Sequence, residues 1–173
     1  MAKRKAKKRI STLTIVMLVV ALVGAALAVV GLFTDWTHQQ GEALGGLIEG
    51  ETESMTLEDW AEMNDWENPP EYSLVMQLFA WVAGILTVAG FALVLVRLLV
   101  NIGLIRLLGK IAGIGAILCG ILALVFTFLA ADAFVGIDLG SIANVETTLS
   151  FGAYLLAAGS VVGGVGALVG SKK

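Results

Sequence analysis

Four long apolar runs constrain this chain more than any other feature of its sequence. They cover residues 10–33, 74–96, 111–131 and 149–169, and none of them contains Asp, Glu, Lys or Arg. A membrane-crossing α-helix needs about 20 apolar residues, because the hydrocarbon core is about 30 Å thick and a helix rises about 1.5 Å per residue. The sequence therefore predicts an all-α membrane protein, a four-transmembrane-helix antiparallel bundle with an acidic outer loop that contains a short helix.

The charged residues divide the segments outside these runs into two groups. All 11 basic residues lie in the arm 1–9, the short connection 97–110 and the tail 170–173. All 14 acidic residues lie in the connections 34–73 and 132–148. Because Lys and Arg beside a span are retained in the cytoplasm, we expect both termini to be cytoplasmic, two outer loops and, by default, the plasma membrane. Anionic lipid on the cytoplasmic face is the partner that this charge pattern favours.

A secretory signal peptide is the alternative interpretation of the first run. Basic residues precede it, and Ala26-Leu27-Ala28 matches the small-residue pattern of a cleavage site. The apolar residues continue to Phe33, which makes the run longer than the roughly 7 to 15 residues of a signal core. An uncleaved anchor is therefore favoured.

Small residues recur at helical spacing, which indicates close helix packing. Helices in lipid gain little from hydrophobic burial, so they associate where small side chains let their backbones approach. The predicted packing residues are Gly152, Gly159, Gly163, Gly166 and Gly170 in the fourth run and Ala112, Ala116 and Gly120 in the third. Shorter rows occur at Ala80 and Gly84 and at Ala21 and Ala25. Packing within the chain is favoured over packing on another protein, because every helix of a four-helix bundle contacts two others.

The first acidic connection is long enough to fold outside the membrane. Its glycines before residue 53 indicate turns or short strands. Residues 56–67 predict a short helix that begins with a capping box at Thr56 and Asp59 and stops before Pro69-Pro70. We expect its apolar face to lie on the bilayer or to cap the bundle; that face consists of Leu57, Trp60, Ala61 and Met63.

Tryptophan and basic side chains near the ends of the runs are typical anchors at membrane interfaces. The predicted anchors are Trp36, Trp60, Trp66, Trp81, Arg97, Arg106 and Lys110. Ligand stacking on the tryptophans is the alternative.

The sequence contains no pattern typical of catalysis, metal binding or a cofactor. The chain has one histidine, His38, and one cysteine, Cys119, and it lacks a GxSxG elbow, a CxxC pair and a zinc ligand set. Its acidic residues do not follow the spacing of an EF-hand, and no ionisable residue lies inside a run, where ion-coupled transporters keep one. We expect a non-enzymatic protein without a cofactor and without a nucleic-acid partner.

The plan of the whole chain resembles the claudin/PMP22-like superfamily of four-helix membrane proteins. Trp36 follows the first run where that superfamily has a first-loop tryptophan, and Gly45-Gly46-Leu47 is similar to its Gly-Leu-Trp element. The paired loop cysteines of the superfamily are absent. The resemblance implies inside termini, a stranded first outer loop and self-association.

Three functions follow as hypotheses. The leading one is a protein that acts through protein–protein contacts, either as an accessory subunit or as a claudin-like self-associating or scaffold protein. The second is a small transporter or channel with a path between the helices, lined by Gln77, Thr87, Thr127 and Ser160. The third is a sensor of cations or of the cell envelope that uses the acidic outer loop.

Overall fold

The computed structural model describes residues 12–43, 48–49, 52–65, 69–100, 102–134 and 143–172. The described part contains five helices: α1 (Thr12–Phe33), α2 (Leu57–Met63), α3 (Ser73–Leu99), α4 (Gly103–Phe134) and α5 (Phe151–Gly170). All except α2 are long and apolar enough to cross a membrane. The prediction of four helices of this length and hydrophobicity is therefore confirmed.

The helix bounds differ from the predicted ones at two connections. Within the predicted connection 97–110, α3 continues to Leu99 and α4 already begins at Gly103, so both helices extend beyond their apolar runs toward a short turn. Leucine, isoleucine and arginine, which are compatible with a helix, occupy most of this segment. At the fourth run, α5 begins at Phe151, since Leu149 belongs to a strand. The predicted arm 1–9 lies outside the described residues.

The four long helices pack against one another to different extents. α1 packs mainly on α5, and α3 packs mainly on α4. α3 and α5 also contact each other, so each of these two helices contacts all three of the other long helices. In the most apolar segment of α5, 56% of the residues are buried, compared with 33% in the corresponding segment of each of the other long helices. α5 is therefore the most enclosed of the four, as its glycine content allows.

The connections α1–α3 and α4–α5 together form one antiparallel sheet. Its strands are β1 (Thr37–Ala43), β2 (Ile48–Glu49), β3 (Glu53–Met55) and β4 (Ala143–Leu149). β4 pairs with β1 over its whole length, from Thr37 opposite Leu149 to Ala43 opposite Ala143. β2 and β3 pair with opposite ends of β1 along its other edge. The prediction of an all-α chain is thus incomplete, because polar segments distant in sequence stabilise one another as strands.

α2 covers the sheet next to the ends of the helices. The capping box is confirmed: the Thr56 backbone N–H donates to Asp59 Oδ2 at 2.6 Å, and the Asp59 N–H donates to Thr56 Oγ1 at 3.3 Å. Leu57, Trp60 and Met63 are buried, whereas Ala61 is exposed. The helix ends at Met63, earlier than predicted. We call α2 and the four strands the sheet layer; its core is continuous with that of the long helices.

Candidate interaction surface

Trp36 attaches the sheet layer to the ends of α1 and α5. Its side chain is 0% exposed, and its indole Nε1–H donates to the Gly31 carbonyl at 2.8 Å. Its backbone N–H donates to the Met55 carbonyl of β3, and its carbonyl accepts from the Ser150 N–H, each at 2.8 Å. One residue therefore connects α1, β3 and the segment that enters α5.

The start of α5 lies directly against the same segment. The Gly152 N–H donates to the Asp35 carbonyl at 2.8 Å. A Cβ atom at Gly152 would lie 2.7 Å from that carbonyl oxygen and 2.8 Å from Trp36 Cδ1, so any side chain there would force the two segments apart. Glycine at this position is what allows α5 to begin under the sheet.

Trp60 attaches α2 to the first strand. Its indole Nε1–H donates to Thr37 Oγ1 at 3.1 Å, and both residues are 0% exposed. Since the indole is buried, this bond gives the N–H group a partner in place of water. α2 is thus fixed to β1 as well as to α3, which it also contacts.

The prediction that Trp36 and Trp60 anchor the protein in the membrane interface is wrong. An interfacial indole must reach the lipid headgroups, and both side chains are enclosed by protein instead. Trp81 is 45% exposed on α3 and contacts Phe33 edge-on, with ring centroids 6.2 Å apart. Its anchoring stays a prediction, while Trp66 lies outside the described residues.

The predicted basic anchors gather at the other ends of the long helices. Arg106 and Lys110 line an open groove there. The Arg97 guanidinium donates from Nη2 to the Lys172 carbonyl and so connects α3 to the segment after α5.

One edge of the sheet has no partner strand in the part of the chain that the structure describes. β4 pairs with β1 on one side, and no described strand pairs with its other side. An unpaired strand edge presents backbone N–H and C=O groups that another chain can complete. The seven residues of β4 therefore form a candidate binding edge.

Several polar side chains lie on β1, on β4 and at the start of α5. His38 Nε2 and Ser150 Oγ are hydrogen-bonded at 2.9 Å, which joins β1 to the start of α5. Gln39 and Thr147 are opposite each other in the β1–β4 register, so their side chains share a face. His38 Nδ1, Gln39 Nε2 and Thr147 Oγ1 are buried atoms without a hydrogen-bond partner among the described residues.

The exposed surface beside the sheet is acidic. Glu53, Glu58, Asp59, Glu62 and Asp65 are all exposed on β3, α2 and the turn after α2. The two connections that form the sheet layer contain no Lys or Arg anywhere in their sequence. Among the described residues no group of three or more His, Cys, Asp or Glu side chains is arranged to hold a metal ion.

The predicted packing glycines of α5 face other helices of the same chain. Gly152, Gly159, Gly163, Gly166 and Gly170 are all buried. A Cβ atom on Gly159 would lie 2.4 Å from the Ala28 backbone nitrogen, and one on Gly166 would lie 2.6 Å from that of Ala21. This row is therefore occupied mainly by α1.

The predicted row on α4 is also buried. Ala112 is 5% exposed, Ala116 is 0% exposed and Gly120 is buried. A Cβ atom on Gly120 would lie 2.5 Å from Ser160 Cβ of α5. The third and fourth predicted spans thus approach closely at Gly120.

Sequence reasoning missed the residues of α1 that receive the glycines of α5. They are Gly24, Ala28 and Gly31, whereas only the pair Ala21 and Ala25 was predicted from the sequence. The signal was the seven-residue spacing of Gly24 and Gly31, which matches that of Gly152 and Gly159 on α5. Strand β4 was missed as well, because ANVETTL shows no strong alternation of apolar and polar residues.

The hydroxyl groups proposed to line a path are enclosed between the helices. Thr87 and Thr127 donate to the carbonyls of Ala83 and Ala123 in their own helices, at 2.6 and 2.7 Å. Thr87 Oγ1 also lies 3.4 Å from Ser160 Oγ. All three side chains are at most 1% exposed. Gln77 Nε2 is a buried atom without a partner among the described residues.

No protein-family model matches the chain, and a search of the curated proteins gives no match.

Proposed function

We propose that this chain is an antiparallel four-helix bundle of the plasma membrane that acts as a non-enzymatic accessory subunit through its sheet layer. Both termini are cytoplasmic and the sheet layer is outside, because all basic residues lie at one end of the spans and all acidic residues at the other. Four long apolar helices support the membrane location. The charge pattern therefore supports an outer position of the sheet layer, on the face that would meet other proteins outside the cell.

The observation that carries the proposal is the unpaired edge of β4, within the described residues, on a sheet that is fixed to the helices. Trp36 and Trp60 hold that sheet through buried hydrogen bonds. The glycine row of α5 is occupied by α1 and α3 of the same chain, so it is not available to a partner. A strand of another protein that adds to β4 would gain backbone hydrogen bonds at an edge that is already in place.

The charge of the sheet layer favours a different protein over a second copy as the partner. Two copies that meet at their sheet layers would bring exposed carboxylates together without any Lys or Arg between them. Like charges across an interface are unfavourable, whereas complementary charges favour and steer association. The partner is therefore a protein whose outer segment is basic and contains a strand that can pair with β4.

A claudin-like relationship is part of the proposal at the level of architecture. The strands β1, β2 and β3 between the first two long helices, and Trp36 after α1, support it. In place of the loop disulfide of that superfamily, the sheet layer here has buried indole hydrogen bonds. Self-association, which the resemblance also implies, is disfavoured by the acidic surface.

Native mass spectrometry of the protein, purified in mild detergent from its own membranes, tests the proposal. We expect a second protein, present in a fixed ratio, whose outer segments are basic. Only monomers or homo-oligomers in several detergents would contradict the accessory role. Solute flux above that of empty liposomes would favour a transporter instead, and a calcium-dependent change in tryptophan fluorescence would favour a sensor.

A pair of proline variants then tests the β4 edge. Successive strand residues point their N–H groups to opposite edges, so one of Thr147→Pro and Thr148→Pro removes a bond to β1 and the other removes an N–H from the free edge. The edge variant should keep the melting temperature and lose the partner. The other variant should melt at a lower temperature and serves as its matched control. Retention of the partner by both variants at full occupancy would exclude the edge as the contact.

A further inference from the structure

An open groove lies where α3 ends, α4 begins and the chain leaves α5. Its volume is about 490 Å³. The lining residues are Gly103, Arg106, Leu107, Lys110, Ser171 and Lys172. This groove lies at the opposite ends of the helices from the sheet layer and plays no part in the proposed outer contact.

Positive charge is concentrated around the groove, and no Asp or Glu is among the described residues that line it. Arg106, Lys110 and Lys172 line it, and Arg97 lies close enough to Arg106 for their charges to repel. The segments 97–110 and 170–173 contain no Asp or Glu. Four cations held together cost free energy unless an anion neutralises them. The arrangement therefore favours an anionic ligand over an empty groove.

The hydrogen bonds of Arg97 give a second indication of an anion. Its Nη2 is bonded to the Lys172 carbonyl, which fixes the guanidinium beside the groove. Its Nη1 is a buried atom without a hydrogen-bond partner among the described residues. The Arg97 side chain is partly exposed, but a donor atom that is shielded from water and lacks a partner is unfavourable, and an oxyanion is the partner that a guanidinium binds best.

The first turn of α4 adds donors that carry no charge of their own. α4 begins at Gly103, which lines the groove, and the first N–H groups of a helix have no acceptor within the helix. Together with the helix dipole, such groups favour a phosphate. Ser171 also lines the groove; it is 2% exposed and lies next to Gly109 of α4.

Apolar side chains next to the groove indicate where the anion comes from. Leu104, Leu107 and Leu108 are 62%, 55% and 43% exposed on the same end of α4. In the proposed membrane-inserted state these leucines lie against lipid, so a phospholipid at this place can put its phosphate among the cations while its acyl chains run along the leucines. We propose that this groove is a specific site for one anionic phospholipid headgroup of the inner leaflet.

The inference rests on the membrane insertion that is part of the proposed function, but it does not depend on the outer partner. It also differs from a diffuse attraction between a basic surface and anionic lipid. A diffuse attraction depends on the number of charges, wherever they lie near the membrane, whereas a site depends on the groove residues. Variants that remove equal charge at different places therefore separate the two.

Native mass spectrometry with added lipid tests the site on the full-length protein in detergent. We expect the wild type to retain one phosphatidylglycerol molecule in preference to phosphatidylcholine. Arg106→Gln with Lys110→Gln should weaken this retention at least tenfold, or about 1.4 kcal/mol. The control, Lys7→Gln with Lys8→Gln, removes the same charge from the arm 1–9 and should retain the lipid as the wild type does.

Three results would overturn the proposal: equal retention of both lipids by the wild type, equal losses in the two double variants, or no loss in the groove variant. Displacement of the lipid by millimolar inorganic phosphate would also overturn it, because the ligand would then be a soluble anion. Lys172→Gln changes an exposed residue after α5 and should give a smaller loss of retention. It keeps the test valid should the double variant fail to fold, and the outer partner should remain bound in every one of these variants.

Discussion

At the scale of the residue, the same side chain serves different purposes according to what surrounds it. Trp36 and Trp60 are fully enclosed and give their indole N–H groups to Gly31 and Thr37. Trp81 is 45% exposed and its ring contact is with Phe33. The positions of Trp36 just after the first apolar run, of Trp60 in the acidic connection and of Trp81 inside the second run were readable from the sequence. Burial was not, because it depends on a sheet whose strands come from two separate connections.

Replacement of Trp36 by phenylalanine should destabilise the protein more than the same change at Trp81. Trp36→Phe leaves the Gly31 carbonyl without its buried donor and opens space against Gly152, which should cost about 1–3 kcal/mol of unfolding free energy. Trp81 is 45% exposed, and Trp81→Phe keeps an aromatic ring that can contact Phe33, so it should cost less than about 0.5 kcal/mol. Unfolding in mixed micelles, followed by circular dichroism, measures both. Equal losses would contradict the role assigned to Trp36.

A double-mutant cycle isolates the contact between α2 and β1. Trp60→Phe and Thr37→Val each remove one partner of the 3.1 Å hydrogen bond. Because the two groups are bonded to each other, the double variant should lose less stability than the sum of the single variants, by about 0.5–1.5 kcal/mol. The same micelle unfolding assay measures the cycle. Strict additivity would mean that the bond contributes nothing to stability.

At the scale of the element, the contact between α1 and α5 is defined by glycines on both helices. Gly24 faces Gly159 and Gly163, while Gly31 faces Gly152 and Leu156. As the residue number increases along α1, the number of the residue that it faces on α5 decreases, so the two helices are antiparallel along this contact. The row on α5 was predictable because its spacing is local in sequence. The residues of α1 that face this row were not predictable, because the first run contains several small residues and spacing alone does not identify the helix that each row meets.

Alanine at Gly24 should disrupt this contact, whereas alanine at Gly103 should not. A Cβ atom on Gly24 would lie 2.1 Å from the Gly163 backbone nitrogen, so α1 and α5 would have to separate. Overpacking of this kind costs about 1–3 kcal/mol or more. A Cβ atom on Gly103 would meet nothing within 4 Å, and the variant should be unchanged or slightly more stable. Micelle unfolding compares the two, and a neutral Gly24→Ala would contradict the close approach.

At the scale of the whole molecule, the sheet layer joins parts of the chain that are far apart in sequence. β1 follows α1, and β4 precedes α5, so their pairing connects the ends of the two helices that pack most closely. The apolar runs were predictable because each is a continuous stretch of the sequence without charged residues. The pairing of β1 with β4 was not, because THQQGEA and ANVETTL are polar strands whose register depends on each other.

An engineered disulfide between β1 and β4 tests that register. Gln39 and Thr147 are opposite residues, and opposite residues of antiparallel strands have Cα atoms about 4.5–5.5 Å apart, within reach of a disulfide. In a Cys119→Ala background, Gln39→Cys with Thr147→Cys should therefore oxidise within one chain and raise stability by about 2–4 kcal/mol. Gel mobility with and without reductant measures the bond.

The matched control shifts one cysteine by a single position. His38 lies opposite Thr148, so His38→Cys with Thr147→Cys places the two side chains on opposite faces of the sheet and should leave both thiols free. Oxidation of the control pair but not of Gln39→Cys with Thr147→Cys would mean that β4 is displaced by one residue. Such a shift would also turn the side chains of β4 to the opposite face of the sheet. Since the outward N–H groups of β4 would then change as well, the register measured here determines which of the two proline variants blocks the partner.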